Sequence, residues 1–167
     1  CHGGGRISGM SRHTAILMLA DQLSWQHPAL LHADPASTVV ILAEVREEAT
    51  YVRHNRHKIA LLFSAMRHFA LALAERGYQV EYARLEEGLP SLLAACDRAL
   101  TQCAYQRLLI CEPGEYRLLE QMRGWSDVLG VPVEILEDSR FLSSRQDFSD
   151  WASDRKQLRM EYFYRDM

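Results

Sequence analysis

The amino-acid order predicts an α/β fold built on a doubly wound parallel sheet of about five strands, and three observations carry that prediction. Short apolar runs alternate along the chain with longer segments of helical periodicity. The runs are continuous rather than alternating, as in strands covered on both faces. With 167 residues, 48% of them hydrophobic, the chain is long enough for one domain with a substantial core.

The elements follow in order. Thr14–Ala20, Thr38–Ala43, Gln79–Ala83, Arg107–Cys111 and Val131–Leu136 read as buried strands, rich in Val, Ile and Leu. The clearest helix is His57–Glu75, where Ile59, Leu62, Phe63, Met66, Phe69 and Leu73 recur at three- and four-residue steps and share one face. Gly77 is its expected stop. A second helix is predicted over Ser91–Gln102 and a third over Glu115–Leu129, closed by Gly130 and Pro132. Right-handed crossovers between such strands give the Rossmann-like order 3-2-1-4-5 with helices on both faces. The last stretch, "FSDWASDRKQLRMEYFYRDM", is charged and aromatic and reads as helix. Three segments are expected: residues 1–9 as a vector remnant or leader, 10–145 as the α/β domain, and 146–167 as the start of a connection to a further domain.

Composition narrows the function. A net charge of −3 provides no general pull toward nucleic acid. The longest apolar runs, "AILMLA" and "IALLF", are too short to span a bilayer, and "CHGGGRISG" lacks the apolar core of a secretory signal. The four cysteines include no C-x-x-C pair, which argues against a zinc or iron–sulfur site built from this chain alone. Buried reduced thiols and a cytoplasmic location are the expectation. Trp25, Trp125 and Trp151 are read as packing residues.

In an open α/β sheet the ligand crevice lies beyond the carboxyl ends of the strands, where the strand order reverses. Here it falls between the first and fourth strands, at "ADQLS" and "CEPGEYR", with "AEVREEATY" after the second strand beside it. These stretches supply Asp21, Gln22, Glu44, Glu48, Tyr51, Glu112 and Glu115. A crevice rich in carboxylates and poor in cations repels polyphosphate, and the glycine-rich phosphate loops are absent. It suits a neutral ring with N–H donors, a polyol or a divalent cation. The alternative for Asp21 is a helix cap, and for Glu44 and Glu48 solvated acids. His54 and His57, amid Arg53, Arg56 and Lys58, read as surface groups rather than metal ligands.

"LADQLS", "EVREEATYVRHNRHKIALLFSAMRHFA", "EPGEYR", "RFLSSRQDFSDWA" and "RKQLRMEYFYRDM" stand in the order found in one photolyase branch. From about Met10 onward the chain resembles the amino-terminal part of the bacterial iron–sulfur cryptochromes and (6-4) photolyases, the photolyase-related proteins. The resemblance implies an antenna domain that binds 6,7-dimethyl-8-ribityllumazine. It implies also a C-terminal helical domain holding FAD, a 4Fe-4S cluster and damaged DNA. The family's pocket carries over onto Asp21, Glu48 and Tyr51, with Gln22, Glu44, Glu112, Gly114 and Glu115 as neighbours and Leu62 against the ring. Ala20 stands where the family often has glycine. Two other readings are a docking module with an empty pocket and a receiver-like domain with an acidic metal site.

Overall fold

The computed structural model describes residues 14–47 and 55–167. Five strands, β1 (Thr14–Leu17), β2 (Thr38–Ala43), β3 (Gln79–Ala83), β4 (Leu108–Cys111) and β5 (Val133–Leu136), pair in parallel in the order β3-β2-β1-β4-β5. The register sets Ile16 beside Val40 on one side of β1 and beside Leu109 on the other. Between and after the strands lie α1 (Pro28–Leu31), α2 (Arg56–Glu75), α3 (Leu92–Cys103), α4 (Tyr116–Arg123), α5 (Trp125–Leu129), α6 (Arg145–Ser153) and α7 (Met160–Asp166). The expected order of the sheet and its helical cover on both faces are therefore present.

Side-chain alternation along the strands divides the core into two layers. Ala15, Leu17, Val39, Ile41, Leu108 and Ile110 face α3, α4 and α5, where Cys96, Met122 and Trp125 are buried with them. Ile16, Met18, Val40 and Leu42 face the other way, onto Ala29 and Leu30 of α1 and Met66 and Leu73 of α2. Residues adjacent in sequence thus serve opposite layers, which is why the strands read as unbroken apolar runs.

The boundaries differ from the sequence reading where local chemistry intervenes. β1 ends at Leu17 and not at Ala20, because the chain turns at once, with the Gln22 N–H donating to Leu19 O at 3.0 Å. The helix expected over Glu115–Leu129 is two, α4 and α5, divided at Gly124. The charged tail likewise forms two short helices. Phe163 of α7 packs edge-on against Phe148 and Trp151 of α6, with centroids 5.1 and 5.2 Å apart. Arg145 at the start of α6 pairs with Glu112 beyond β4 at 2.7 Å and ties this tail to the sheet. α1 has only four residues and carries no periodicity to detect; Pro28 opens it, and the His27 side chain accepts from the Ala29 N–H at 3.2 Å.

Candidate functional site

Beyond the carboxyl ends of β1, β2 and β4, at the point where the strand order reverses, lies a cavity of about 230 Å³. Each wall comes from a different element. The chain leaving β1 contributes Met18 to Asp21, the end of β2 contributes Ala43 and Val45, and the turn after β4 contributes Pro113, Gly114 and Glu115. Helix α2 closes the cavity with Ile59, Leu62, Phe63 and Met66, the residues of its apolar stripe nearest its start. That stripe is longer than the sheet needs: Met66 and Leu73 are buried in the core, while Ile59 and Leu62 reach past it. The start of α2 is set by Asn55, whose side chain accepts from the His57 N–H at 2.9 Å.

The expected acidic crevice is present in part among the described residues. Its described wall is mainly apolar, with Asp21 and Glu115 as acids and Lys58 as a cation. Asp21, Leu62, Gly114 and Glu115 are brought together, whereas Gln22, Glu44 and Glu112 are engaged elsewhere. Gln22 is 1% exposed, and its Nε2 donates to Cys111 O at 3.3 Å and Glu112 O at 3.0 Å. It fastens the chain after β1 to the end of β4, and its Oε1 is buried without a protein partner. Glu112 lines a neighbouring groove and holds Arg145. The cap of α1 is His27, not Asp21. Glu48, Tyr51 and His54 lie outside the described residues, and His57 is exposed.

Glu44 is not a solvated acid. Its side chain is wholly buried, and its two oxygens accept from Arg67 Nε at 2.6 Å, Arg67 Nη2 at 2.8 Å, Tyr82 Oη at 2.6 Å and the Leu85 N–H at 3.1 Å. Burial alone would raise the pKa of this carboxyl, but the donors from Arg67, Tyr82 and Leu85 outweigh it and hold it below the ordinary glutamate range. Burial, with the Glu44 carboxylate beside it, raises that of the Tyr82 phenol. This pairing joins residues 23 and 38 apart, so no sequence spacing announces it.

A second groove is lined by Glu112, Gly114, Asp138, Phe141, Tyr164 and their neighbours, and it shares the Pro113–Gly114 turn with the cavity. Large apolar side chains stand exposed around it, Leu142 at 98% and Phe141 and Tyr164 at 70% each. Cys96, Cys103 and Cys111 are buried and form no disulfide with one another. Burial pushes Cys96 and Cys111 up to about 12, so both stay thiols. Among the described residues no three His, Cys, Asp or Glu side chains converge as a metal site, and no helix is long and apolar enough to cross a membrane.

Residues 16–167 match the model of the deoxyribodipyrimidine photo-lyase-related protein family. The chain belongs to that family. It is also 44% identical over 154 residues to a (6-4) photolyase of Agrobacterium fabrum (strain C58 / ATCC 33970). The match covers 91% of this chain and 30% of the relative, so the photolyase-related chain spans less than a third of that protein's length. The family model begins inside β1 and runs through α7, and so takes in every element that walls the cavity.

Proposed function

We propose that this chain is the light-harvesting domain of a photolyase-related protein and that its cavity holds 6,7-dimethyl-8-ribityllumazine. The observation that carries the reading is the cavity itself: a mainly apolar recess at the strand-order reversal, with a few polar groups. A flat fused ring suits walls made by Ile59, Leu62, Phe63 and Met66 on one side and by Met18, Leu19 and Ala43 with them. Asp21 and Glu115 are acceptors for ring N–H or ribityl hydroxyl groups, and Lys58 is a donor for a ring carbonyl. When bound, the lumazine would absorb near-ultraviolet and violet light and pass the excitation to a flavin. The chain's own part is positional. Helix α2 and the Pro113–Glu115 turn hold the ring and exclude water, while Gln22 keeps the chains after β1 and β4 at fixed separation.

On this reading FAD, the 4Fe-4S cluster and damaged DNA belong to a C-terminal helical domain, the chain's principal partner. No catalysis is assigned to this chain alone. Micromolar binding of the lumazine corresponds to about 8 kcal/mol, and the test is a fluorescence titration of the purified protein. Saturation with one equivalent supports the assignment, and absence of binding by a folded protein refutes it. A second reading, a docking module, draws on the exposed Phe141, Leu142 and Tyr164 around the neighbouring groove. It predicts that no chromophore binds.

A further inference from the structure

The residues on either side of Glu44 line the cavity, while Glu44 points the opposite way. Ala43 and Val45 contribute to its wall, and the Glu44 N–H continues the sheet ladder to Ala83 O at 2.9 Å. The carboxylate then gathers donors from three places: the guanidinium of Arg67 on α2, the phenol of Tyr82 on β3 and the N–H of Leu85 just beyond β3. Arg67 follows Met66 directly and lies one helical turn after Phe63, and both of those residues line the cavity. Ile59 and Phe63 also line the groove in which Glu44 and Arg67 meet, so the ion pair stands immediately behind the helical wall.

We infer that Glu44 and Arg67 are a positioning pair that sets the width of the cavity, by fixing α2 against the end of β2 at the height of the ring-facing side chains. The inference rests on the lumazine reading for the identity of the ligand, though not for the mechanical role. The geometry favours a positioning role over general stabilisation. A planar guanidinium that engages both carboxylate oxygens, at 2.6 and 2.8 Å, fixes direction as well as distance. Tyr82 and Leu85 hold the carboxylate so that it cannot swing with the helix. Arg67 is partly open to solvent while Glu44 is wholly buried, so a change at Glu44 also lowers stability, and a control matched in stability is needed to read the positioning role. Other charged groups near the pair are Glu86, with an oxygen 4.0 Å from Arg67 Nη2, and Arg56 and His68 along the same groove.

The experiment compares the protein with Glu44→Gln, Arg67→Lys and Leu129→Ala. The last removes a buried side chain of α5 in the opposite layer and serves as a control for lost stability. Lumazine affinity and the fluorescence anisotropy of the bound lumazine are read beside melting temperature and amide exchange across residues 59–66. The expectation is that Glu44→Gln weakens binding on the order of tenfold, because small displacements of a supporting group are felt at the site. Bound lumazine should have lower anisotropy in Glu44→Gln, and residues 59–66 should exchange faster. Arg67→Lys, which keeps the charge but loses the planar fork, should weaken binding as well, though less than Glu44→Gln. Losses no greater than those of Leu129→Ala at equal melting temperature would overturn the inference. If the unaltered protein binds no lumazine, the functional reading fails by itself. The exchange comparison then still decides: faster exchange in Glu44→Gln that Leu129→Ala does not share upholds the pair's role, and unchanged exchange ends it.

Discussion

Leu62 is in the second turn of α2 and has room in front of it. Replacing it with Trp fills the cavity without disturbing the packed part of the stripe at Met66 and Leu73. Leu62→Trp is therefore expected to leave the melting temperature within about 3 °C of the original, a cost of no more than about 1 kcal/mol, while abolishing lumazine fluorescence changes. Normal lumazine binding by the folded variant would remove the ring from this wall. His27 is buried and neutral. Burial first, and Arg140 second, lower its pKa from 6.5 to about 4, with Asp138 opposing them. Above about pH 6.5 neither the folded nor the unfolded chain carries this proton, and the contribution to stability is complete. As pH falls toward 4 only the unfolded chain takes it up, so up to about 3 kcal/mol is lost across that window. His27→Asn retains an acceptor for the Ala29 N–H but does not titrate. Chemical denaturation at pH 6.5 and 4.5 is expected to show a fall about 2 kcal/mol smaller in the variant, and parallel losses would contradict the assignment.

Among the elements, β2 and β3 were legible to the residue, because β-branched and apolar side chains fill β2, Val80, Tyr82 and Ala83 mark β3, and Gly77 stands just before β3. The end of α2 was legible for a similar reason. Gly77 takes φ 87°, its N–H donates to Ala74 O at 2.9 Å, and the Tyr78 N–H returns to Leu73 O at 3.2 Å. Gly77→Ala places a Cβ in ordinary contact with Pro35, so its cost is conformational and amounts to about 1 kcal/mol. A melting curve should fall by roughly 2–4 °C; no change would mean that the turn relaxes. α1 was not legible, since four residues begun by Pro28 hold no period. The division of α4 from α5 at Gly124 was missed because apolar spacing runs through it, with Leu118, Leu119, Met122, Trp125 and Leu129 all buried.

For the molecule as a whole, the position of the crevice was legible, and so was part of its described lining, Asp21, Leu62, Gly114 and Glu115. Strand order follows from alternation and crossover handedness, and it places the crevice beside Asp21 and Gly114 before any side chain is seen. Which acids face that crevice depends on partners distant in sequence: Arg67 and Tyr82 turn Glu44 away, Arg145 engages Glu112, and the carbonyls after β4 engage Gln22. Composition could not register those pairings, which draw Glu44, Glu112 and Gln22 away from the described wall. Helix α2, Gln22 and the Pro113–Glu115 turn together make a preformed recess, and the family to which the chain belongs gives it a chromophore-holding role in our reading. The central measurement is a titration of the purified protein with 6,7-dimethyl-8-ribityllumazine, followed by fluorescence and paired with a melting curve. The account predicts one-to-one saturation and, at a hundredfold excess over Kd, a gain of about 2.7 kcal/mol, or a rise of roughly 5–11 °C in melting temperature. A folded protein that neither binds the lumazine nor gains stability from it would contradict the account.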